Sequence, residues 1–291
     1  MKPTPNQIST IKKLFSEMNS KEEFLSLLNY AKEILFKEKS IPFTIKQLNY
    51  YGSPKFNIEK FDKKFYHEFE IKKKSGSNRV IHAPAKGLKT FQKVLNLILQ
   101  SLYEPHHAAT GFVQGKSIVD NSKVHVDKLY VYNIDLKDFF PSVDAKRVWG
   151  RLLVKPFNLG NTQERRYVAN MIKILCCHRM PVERLVNNEW VTEIKHVLPQ
   201  GAPTSPTLTN VICDRLDIRL NGLAKRFGLM YTRYADDITF SSNHNSYELK
   251  SGGTDIIFKK DNTFDKELRR IIEDQNFQIK ESKVRLQKKG Y

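Results

Sequence analysis

The spacing of apolar residues along the chain alternates between the period of a helix and the period of a strand. In the first fifty or so residues, apolar positions such as Phe24, Leu28 and Ala31 recur every three to four residues, which predicts helices. A second stripe of this kind covers residues 88–102, and a third covers residues 208–220. Both are expected to be amphipathic helices that pack against an apolar core.

From Phe65 onward, the spacing of apolar residues changes to every second position, which is the period of a strand. Phe65, Phe69 and Ile71 alternate with polar residues, and residues 72–78 interrupt the pattern with a lysine-rich turn before it resumes. This arrangement predicts a hairpin with a basic tip. Because strands and helices are mixed along the whole chain, the predicted fold class is α+β.

Two acidic sites lie at the ends of predicted strands. The pattern at 129–134 predicts a strand that runs directly into Asp135, and the pattern at 229–241 predicts a hairpin whose turn carries Asp236 and Asp237. A helix cap and a solvated turn are the alternative explanations of such residues. The aromatic and β-branched residues around the turn favour a buried hairpin, which would hold both carboxylates in place.

The charge balance changes how these carboxylates are interpreted. The 291 residues include 49 Lys and Arg against 31 Asp and Glu, a net charge of +18. A basic folded chain indicates a polyanionic partner, and clustered carboxylates within it are typical of divalent-cation sites. Two such ions about 4 Å apart can activate an attacking hydroxyl and stabilise a leaving phosphate. The combination therefore predicts phosphoryl transfer on nucleic acid.

Composition also indicates where the protein works. No apolar run approaches the ~20 residues of a membrane span, and the first residues carry charges where a signal peptide would be apolar. We therefore expect a cytoplasmic protein without a membrane partner. Cys176, Cys177 and Cys213 are too few for a disulfide framework and are expected to be buried thiols. Cys176-Cys177-His178 is a poor zinc site, since adjacent cysteines rarely occupy two tetrahedral positions.

Three sequence blocks, taken in order, carry a family resemblance over roughly residues 65–286. They resemble the palm of a reverse transcriptase, and they are Asp135 with Phe139-Phe140, Leu198-Pro199-Gln200-Gly201-Ala202-Pro203-Thr204-Ser205-Pro206, and Tyr234-Ala235-Asp236-Asp237. The implied fold is the fingers and palm of a right-hand polymerase, preceded by an N-terminal helical region.

A further block is similar to the segment that precedes the palm in retron reverse transcriptases. It comprises Gly111-Phe112, Gly115-Lys116-Ser117-Ile118 and Asn121-Ser122-Lys123-Val124-His125. The usual retron pattern is Asn-Ala-x-x-His, so Ser122 departs from it. A second retron signature, Val-Thr-Gly, would lie beyond Tyr291.

The resemblance implies a two-metal site for nucleotide addition. Asp135 and Asp236 would bind both Mg²⁺ ions, for which Mn²⁺ can substitute, and Asp237 would support the site as a ligand or through its charge. The backbone carbonyl of Leu136 would complete one ion's shell. A primer 3′-hydroxyl would then attack the α-phosphate of a nucleotide, with pyrophosphate leaving.

The resemblance also assigns contacts with the nucleotide and the RNA. Phe140 would exclude a ribose 2′-hydroxyl and so select dNTPs, unless it is simply a core residue. The other nucleotide-binding residues are expected to be Lys73, Arg79, Gln200, Gly201 and, as a general acid for pyrophosphate, Lys283. Asn121 and His125 are assigned either to RNA contact or to structure.

The predicted organisation follows that of the family. We expect an N-terminal helical region at 1–55, fingers at 56–130 and 151–199, palm at 131–150 and 200–291, and no thumb within this chain. The segment 243–262 looks like an insertion between palm elements.

The leading hypothesis is a retron reverse transcriptase in antiphage defence. Its expected partners are an RNA template and primer and dNTPs, with an RNA-DNA hybrid product and a toxin or effector. The alternatives are a group II intron or other defence-associated reverse transcriptase, and an RNA-binding scaffold whose polymerase site is vestigial.

Overall fold

The computed structural model describes residues 3–37, 40–54, 65–72, 76, 78–186, 189–249 and 251–289. The chain forms two compact units. Unit 1 comprises Met1–Glu104 and Val143–Thr209, and unit 2 comprises Pro105–Ser142 and Asn210–Tyr291.

Helices and strands are interspersed through both units. The described helices are α1 (Pro5–Glu17), α2 (Lys21–Phe36), α3 (Ile45–Gly52), α4 (Lys86–Leu102), α5 (Ile118–Lys123), α6 (Ala145–Leu153), α7 (Gln163–Cys176), α8 (Ser205–Arg226) and α9 (Thr263–Asp274). The described strands are β1 (Tyr66–Lys72), β2 (Asn78–Pro84), β3 (Tyr130–Asp135), β4 (His178–Val186), β5 (Glu189–Val197), β6 (Met230–Tyr234), β7 (Asp237–Ser242), β8 (Ser246–Glu248), β9 (Thr254–Ile256) and β10 (Arg285–Lys288). The predicted α+β class is confirmed.

Unit 1 is built from helices and two antiparallel hairpins, β1–β2 and β4–β5. The predicted stripe at 88–102 is α4, whose apolar face is buried. Helix α2 begins after Ser20, whose hydroxyl accepts the backbone N–H of Glu23. In the predicted hairpin at β1–β2, Phe69 and Ile71 are 47% and 49% exposed, so the apolar face of β1 is only partly covered. Most of its basic tip, including Lys73, lies outside the described residues.

Unit 2 is organised around a four-stranded antiparallel sheet with the order β10-β3-β7-β6. Aromatic and branched side chains fill the sheet, as the residues around the predicted turn indicate, and Ile134, Ile238 and Phe240 are buried. Helix α9 packs on it through Phe264, whose ring meets that of Phe240 edge-on at 5.2 Å. A small hairpin, β8–β9, occupies part of the predicted insertion.

The two units divide the chain differently from the predicted domains. Residues 105–130, predicted as fingers, belong to unit 2, because the backbone of Ala108 and Thr110 is hydrogen-bonded to that of Arg233 in β6. Residues 143–150, predicted as palm, belong to unit 1. Their first residue, Val143, accepts the backbone N–H of Leu198, which directly follows β5.

Two further expectations concern membranes and thiols. None of the helices in the described ranges is both long and apolar enough to cross a membrane. Cys176, Cys177 and Cys213 are buried thiols, as predicted, and burial raises the pKa of Cys176 to about 12.

Candidate active site

The unit 2 sheet brings together carboxylates that are about a hundred residues apart in sequence. Asp135 is the last residue of β3, and its direct cross-strand partner is Asp237, the first residue of β7. Tyr234 pairs with Asp237 at the other side, so Ala235 and Asp236 form a two-residue turn. Asp135 is buried, Asp236 is half-buried and Asp237 is exposed. The three aspartates singled out in the sequence therefore meet at one end of the sheet.

The electrostatics of this cluster is unfavourable without a counter-charge. Partial loss of water around its carboxyl group, and then repulsion from Asp236 and Asp135, raises the pKa of Asp237 to about 6. Lys283 opposes this shift and forms an ion pair with Asp135. A divalent cation would relieve the same repulsion more completely, so the charge distribution fits a metal site.

The donor set also suits a hard cation. Carboxylate and carbonyl oxygens are the ligands that Mg²⁺ prefers. The backbone N–H of Leu136 is bonded to the Asp236 carbonyl at 3.0 Å, while the Leu136 carbonyl accepts no hydrogen bond from the described residues. No group of three or more His, Cys, Asp or Glu side chains in the described ranges is arranged to hold a metal as it stands. Binding an ion would therefore require Asp135 to exchange Lys283 for the metal.

The turn that carries Asp236 has an unusual backbone conformation. Ala235 has a φ of 58°, in the left-handed region that residues with a Cβ adopt at a cost of about 1–2 kcal/mol. A hydrogen bond of 3.0 Å from Arg233 Nη1 to the Ala235 carbonyl holds this conformation. Gly111 packs against the same turn, where a Cβ would lie 2.4 Å from the Ala235 nitrogen.

Arg233 is the centre of a buried polar network behind the turn. Its side chain is fully buried and binds Asp217 of α8 through two hydrogen bonds, from Nε at 2.7 Å and Nη2 at 2.6 Å. Nη2 also donates to Asn210 Oδ1 at 3.1 Å, and the Tyr231 hydroxyl donates to Asp217 at 2.7 Å. Together with the bond to the Ala235 carbonyl, all three guanidinium nitrogens therefore donate hydrogen bonds.

The aromatic pair after Asp135 is divided between core and surface. Phe139 is buried and stacks near Phe277, with ring centroids 5.7 Å apart, while Phe140 is half-buried beside Phe112 at 5.9 Å. The structure thus makes Phe139 the core residue and leaves part of the Phe140 ring accessible in unit 2.

Three of the predicted nucleotide contacts lie in unit 1. Arg79 is an exposed residue of β2, and the Gln200 carbonyl accepts the backbone N–H of His82 at 2.8 Å. Gly201 has a φ of 122°, and a Cβ there would lie 2.8 Å from the His82 carbonyl. Close packing against β2 therefore favours a glycine at position 201, whether or not a nucleotide binds there.

Asn121 and His125 are both buried and satisfied within unit 2. Asn121 accepts a hydrogen bond from the Thr110 hydroxyl at 2.7 Å. The two ring nitrogens of His125 lie 2.7 Å from the hydroxyls of Ser241 and Thr232, on β7 and β6. These contacts support the structural alternative for both residues.

Arg233, Asp217 and Asn210 were missed by reasoning from the sequence. A signal was present, because Arg233 is the one charged residue of the strand Met230–Tyr234 and Asp217 lies between Leu216 and Ile218 of a long helix. Two opposite charges in such positions indicate a buried pair, although the sequence does not show that they meet.

The substitution Gly111→Ala is expected to lower the free energy of unfolding by about 2 kcal/mol, because the new methyl group must displace the Ala235 backbone. Urea denaturation measures this change. The matched control is Gly222→Ala in α8, where a Cβ meets nothing within 4 Å, and it should stabilise the protein by about 0.5–1 kcal/mol. Equal effects of the two substitutions would show that the turn tolerates the methyl group.

Acid is expected to destabilise the protein through His125. Burial, and then the charge of Lys128, lowers the pKa of His125 from 6.5 to about 4. The unfolded chain thus binds this proton at a higher pH than the folded chain, so the stability is complete above pH 6.5 and is lost as the pH falls towards 4. In His125→Gln, about 3 kcal/mol of the loss between pH 7 and pH 4 should disappear. Urea denaturation at both pH values tests this, and an unchanged pH dependence would contradict it.

Comparisons with known proteins agree with this geometry. Residues 71–290 match the family described as reverse transcriptase (RNA-dependent DNA polymerase). The Retron Mx65 reverse transcriptase of Myxococcus xanthus is 37% identical over 231 residues, which are 77% of this chain and 48% of that protein. The Retron Ec86 reverse transcriptase of Escherichia coli is 36% identical over 180 residues, or 61% of this chain and 49% of that protein.

Solved structures resemble the chain more distantly. A structure of telomerase from Candida albicans with a fragment of telomeric RNA covers 79% of this chain and 44% of its own, with a TM-score of 0.47 and 10% identity. This chain spans about half the length of the curated relatives it matches. The family match extends across most of the sequence and includes all three aspartates, and the predicted resemblance to retron enzymes is confirmed by the relatives: the chain belongs to the reverse transcriptase family.

Proposed function

We propose that this chain carries the catalytic part of an RNA-directed DNA polymerase of the retron type, which adds dNTPs to the 3′-hydroxyl of a primer. The observation that carries the proposal is the meeting of Asp135, Asp236 and Asp237 at one end of a sheet, in a chain with a net charge of +18. The positive charge suits an RNA template and primer, whose binding would weaken as the salt concentration rises. The retron relatives favour this reading over a group II intron enzyme.

The aspartates would hold two Mg²⁺ ions, for which Mn²⁺ could substitute, with the Leu136 carbonyl as a further ligand. When bound, such ions activate the attacking hydroxyl and stabilise the leaving phosphate. The fit rests on the repulsion among the three carboxylates and on the uncapped carbonyl. Lys283, which is paired with Asp135, would release that carboxylate and supply a proton to the departing pyrophosphate.

The remaining residues would position the nucleotide. The accessible part of the Phe140 ring would lie under the sugar and clash with a 2′-hydroxyl. Arg79 would make a bidentate contact with the triphosphate, and Lys73, Gln200 and Gly201 are proposed as further nucleotide contacts. We assign the palm to unit 2 and the fingers, with the N-terminal helices, to unit 1. A cytoplasmic location, a role in defence and an effector partner remain predictions.

Asp236→Asn is expected to lower the rate of primer extension on an RNA template with Mg²⁺ by about a thousandfold, because a metal-binding charge is lost. Incorporation of radiolabelled dNTPs measures the rate. Asp127→Asn removes an exposed carboxylate of the same unit and should leave the rate unchanged. Extension that persists in the Asp236 variant would remove the basis of the assigned site.

Phe140→Ala is expected to increase the incorporation of rNTPs relative to dNTPs by at least about tenfold, because the clash with the 2′-hydroxyl is lost. Single-nucleotide extension with each substrate gives the ratio. Phe140→Tyr keeps the ring and serves as the control with unchanged discrimination. If the alanine variant discriminates as well as the wild type, Phe140 is a packing residue.

A further inference from the structure

Phe112, in unit 2, has a backbone conformation that is unfavourable for an aromatic residue. Its φ is 61°, in the left-handed region. Most of the other described non-glycine residues with a positive φ are Asn or Asp, whose short polar side chains tolerate that region better. A phenylalanine at this position is therefore costly unless its ring makes a useful contact.

Burial alone does not account for the Phe112 ring. The residue is 41% exposed, so it gains only part of the hydrophobic stabilisation of a core phenylalanine. Its ring contacts that of Phe140, with centroids 5.9 Å apart and planes inclined by 42°. Phe112 is thus placed beside the residue that is proposed to face the sugar, and much of its side chain stays outside the core.

Hydrogen bonds fix the segment that carries Phe112. The backbone N–H of Thr110 donates to the Arg233 carbonyl of β6 at 2.9 Å. Asn210 Nδ2, on α8, donates to the Gly111 carbonyl at 3.0 Å. Because the two residues before Phe112 are bonded to a strand and to a helix, the ring projects from an anchored backbone.

The same segment packs on the turn of the aspartate cluster. A Cβ at Gly111 would lie 2.4 Å from the Ala235 nitrogen. Ala235 is itself left-handed, with a φ of 58°, and so is Asp138, two residues before Phe140, with a φ of 46°. Each of the three segments that meet here therefore carries a left-handed residue, and strain of this kind concentrates at functional sites.

The Phe140 ring has aromatic neighbours in Phe139 and Phe112, at centroid distances of 5.5 and 5.9 Å. Phe139 is fixed, since it is buried and stacks near Phe277. Loss of the Phe112 ring would remove one of these two contacts and let the half-buried Phe140 side chain change its rotamer. A steric clash discriminates only while the ring keeps its position, because a ring that moves aside admits the larger substrate.

We propose that Phe112 is a positioning residue, which holds the Phe140 ring in place and thereby sets how strictly deoxyribonucleotides are selected over ribonucleotides. This inference rests on the proposed function, in which Phe140 excludes the 2′-hydroxyl. Phe112 does not touch the sugar and acts only through the Phe140 ring. Sugar selection is then a property of two rings, of which the family resemblance assigns one.

Two substitutions remove the Phe112 ring with different effects on the backbone. Phe112→Gly relieves the left-handed strain, whereas Phe112→Ala retains it, so urea denaturation should find the glycine variant more stable than the alanine variant. Both are expected to raise the ratio of rNTP to dNTP incorporation by about fivefold, which corresponds to about 1 kcal/mol, the size of one aromatic pair. Single-nucleotide extension on an RNA template measures this ratio.

Three further variants separate positioning from a general structural effect. Phe112→Tyr keeps the ring and should keep the wild-type ratio. Phe36→Ala removes an equally exposed ring, 41% accessible at the end of α2, and should change the ratio by less than about twofold. The double variant Phe112→Gly/Phe140→Ala should discriminate no worse than Phe140→Ala alone, because the effect of Phe112 passes through Phe140.

The inference is overturned if either the glycine or the alanine variant at position 112 selects dNTPs as strictly as the wild type. It is also overturned if the loss of selection follows the loss of stability, or if the double variant selects less strictly than Phe140→Ala. In each of these cases, extension by the wild type leaves the polymerase assignment intact. A wild-type protein that extends no primer removes the proposed function, and this inference with it.

Discussion

The buried ion pair between Arg233 and Asp217 is the interaction on which the rest of the site depends. Burying two charges costs several kcal/mol per ion unless each is fully paired, so the pair persists only because Asn210, Tyr231 and the Ala235 carbonyl satisfy its remaining groups. Arg233 also joins β6 to the segment at 108–110 through hydrogen bonds of its backbone. One guanidinium thereby ties a helix, a strand and the turn that carries Asp236 into a single arrangement.

This anchoring matters because the three carboxylates repel one another and would separate without it. Asp135 and Asp237 are held opposite each other by strand pairing, and Asp236 is held by a turn whose backbone is itself strained. The apolar packing of the sheet and the polar network behind it offset the repulsion between the carboxylates and the strain of the turn. If the cluster binds cations as proposed, this arrangement holds the carboxylates close together beforehand, which reduces the reorganisation that binding requires.

The sequence was sufficient to predict the aspartates, the strands that bear them and most helices, because apolar spacing and turn residues report local structure directly. It could not supply the pairing of Asp135 with Asp237, since register depends on contacts between distant segments. Arg233 and Asp217 were missed for the same reason. Residues 105–130 were predicted as fingers from the family pattern, and their hydrogen bonds to β6, which group them with unit 2, leave no periodic mark in the sequence.

The left-handed conformation of Ala235, in the turn that carries Asp236, has a wider consequence. Because Ala235 is kept in its conformation by neighbours and not by an intrinsic preference, the spacing of the oxygens proposed to bind metal depends on the residues behind the turn. Substitutions among those residues would change the geometry of the proposed site while its three carboxylates stay the same. Differences between proteins that share this site would then be sought in residues outside the aspartate cluster.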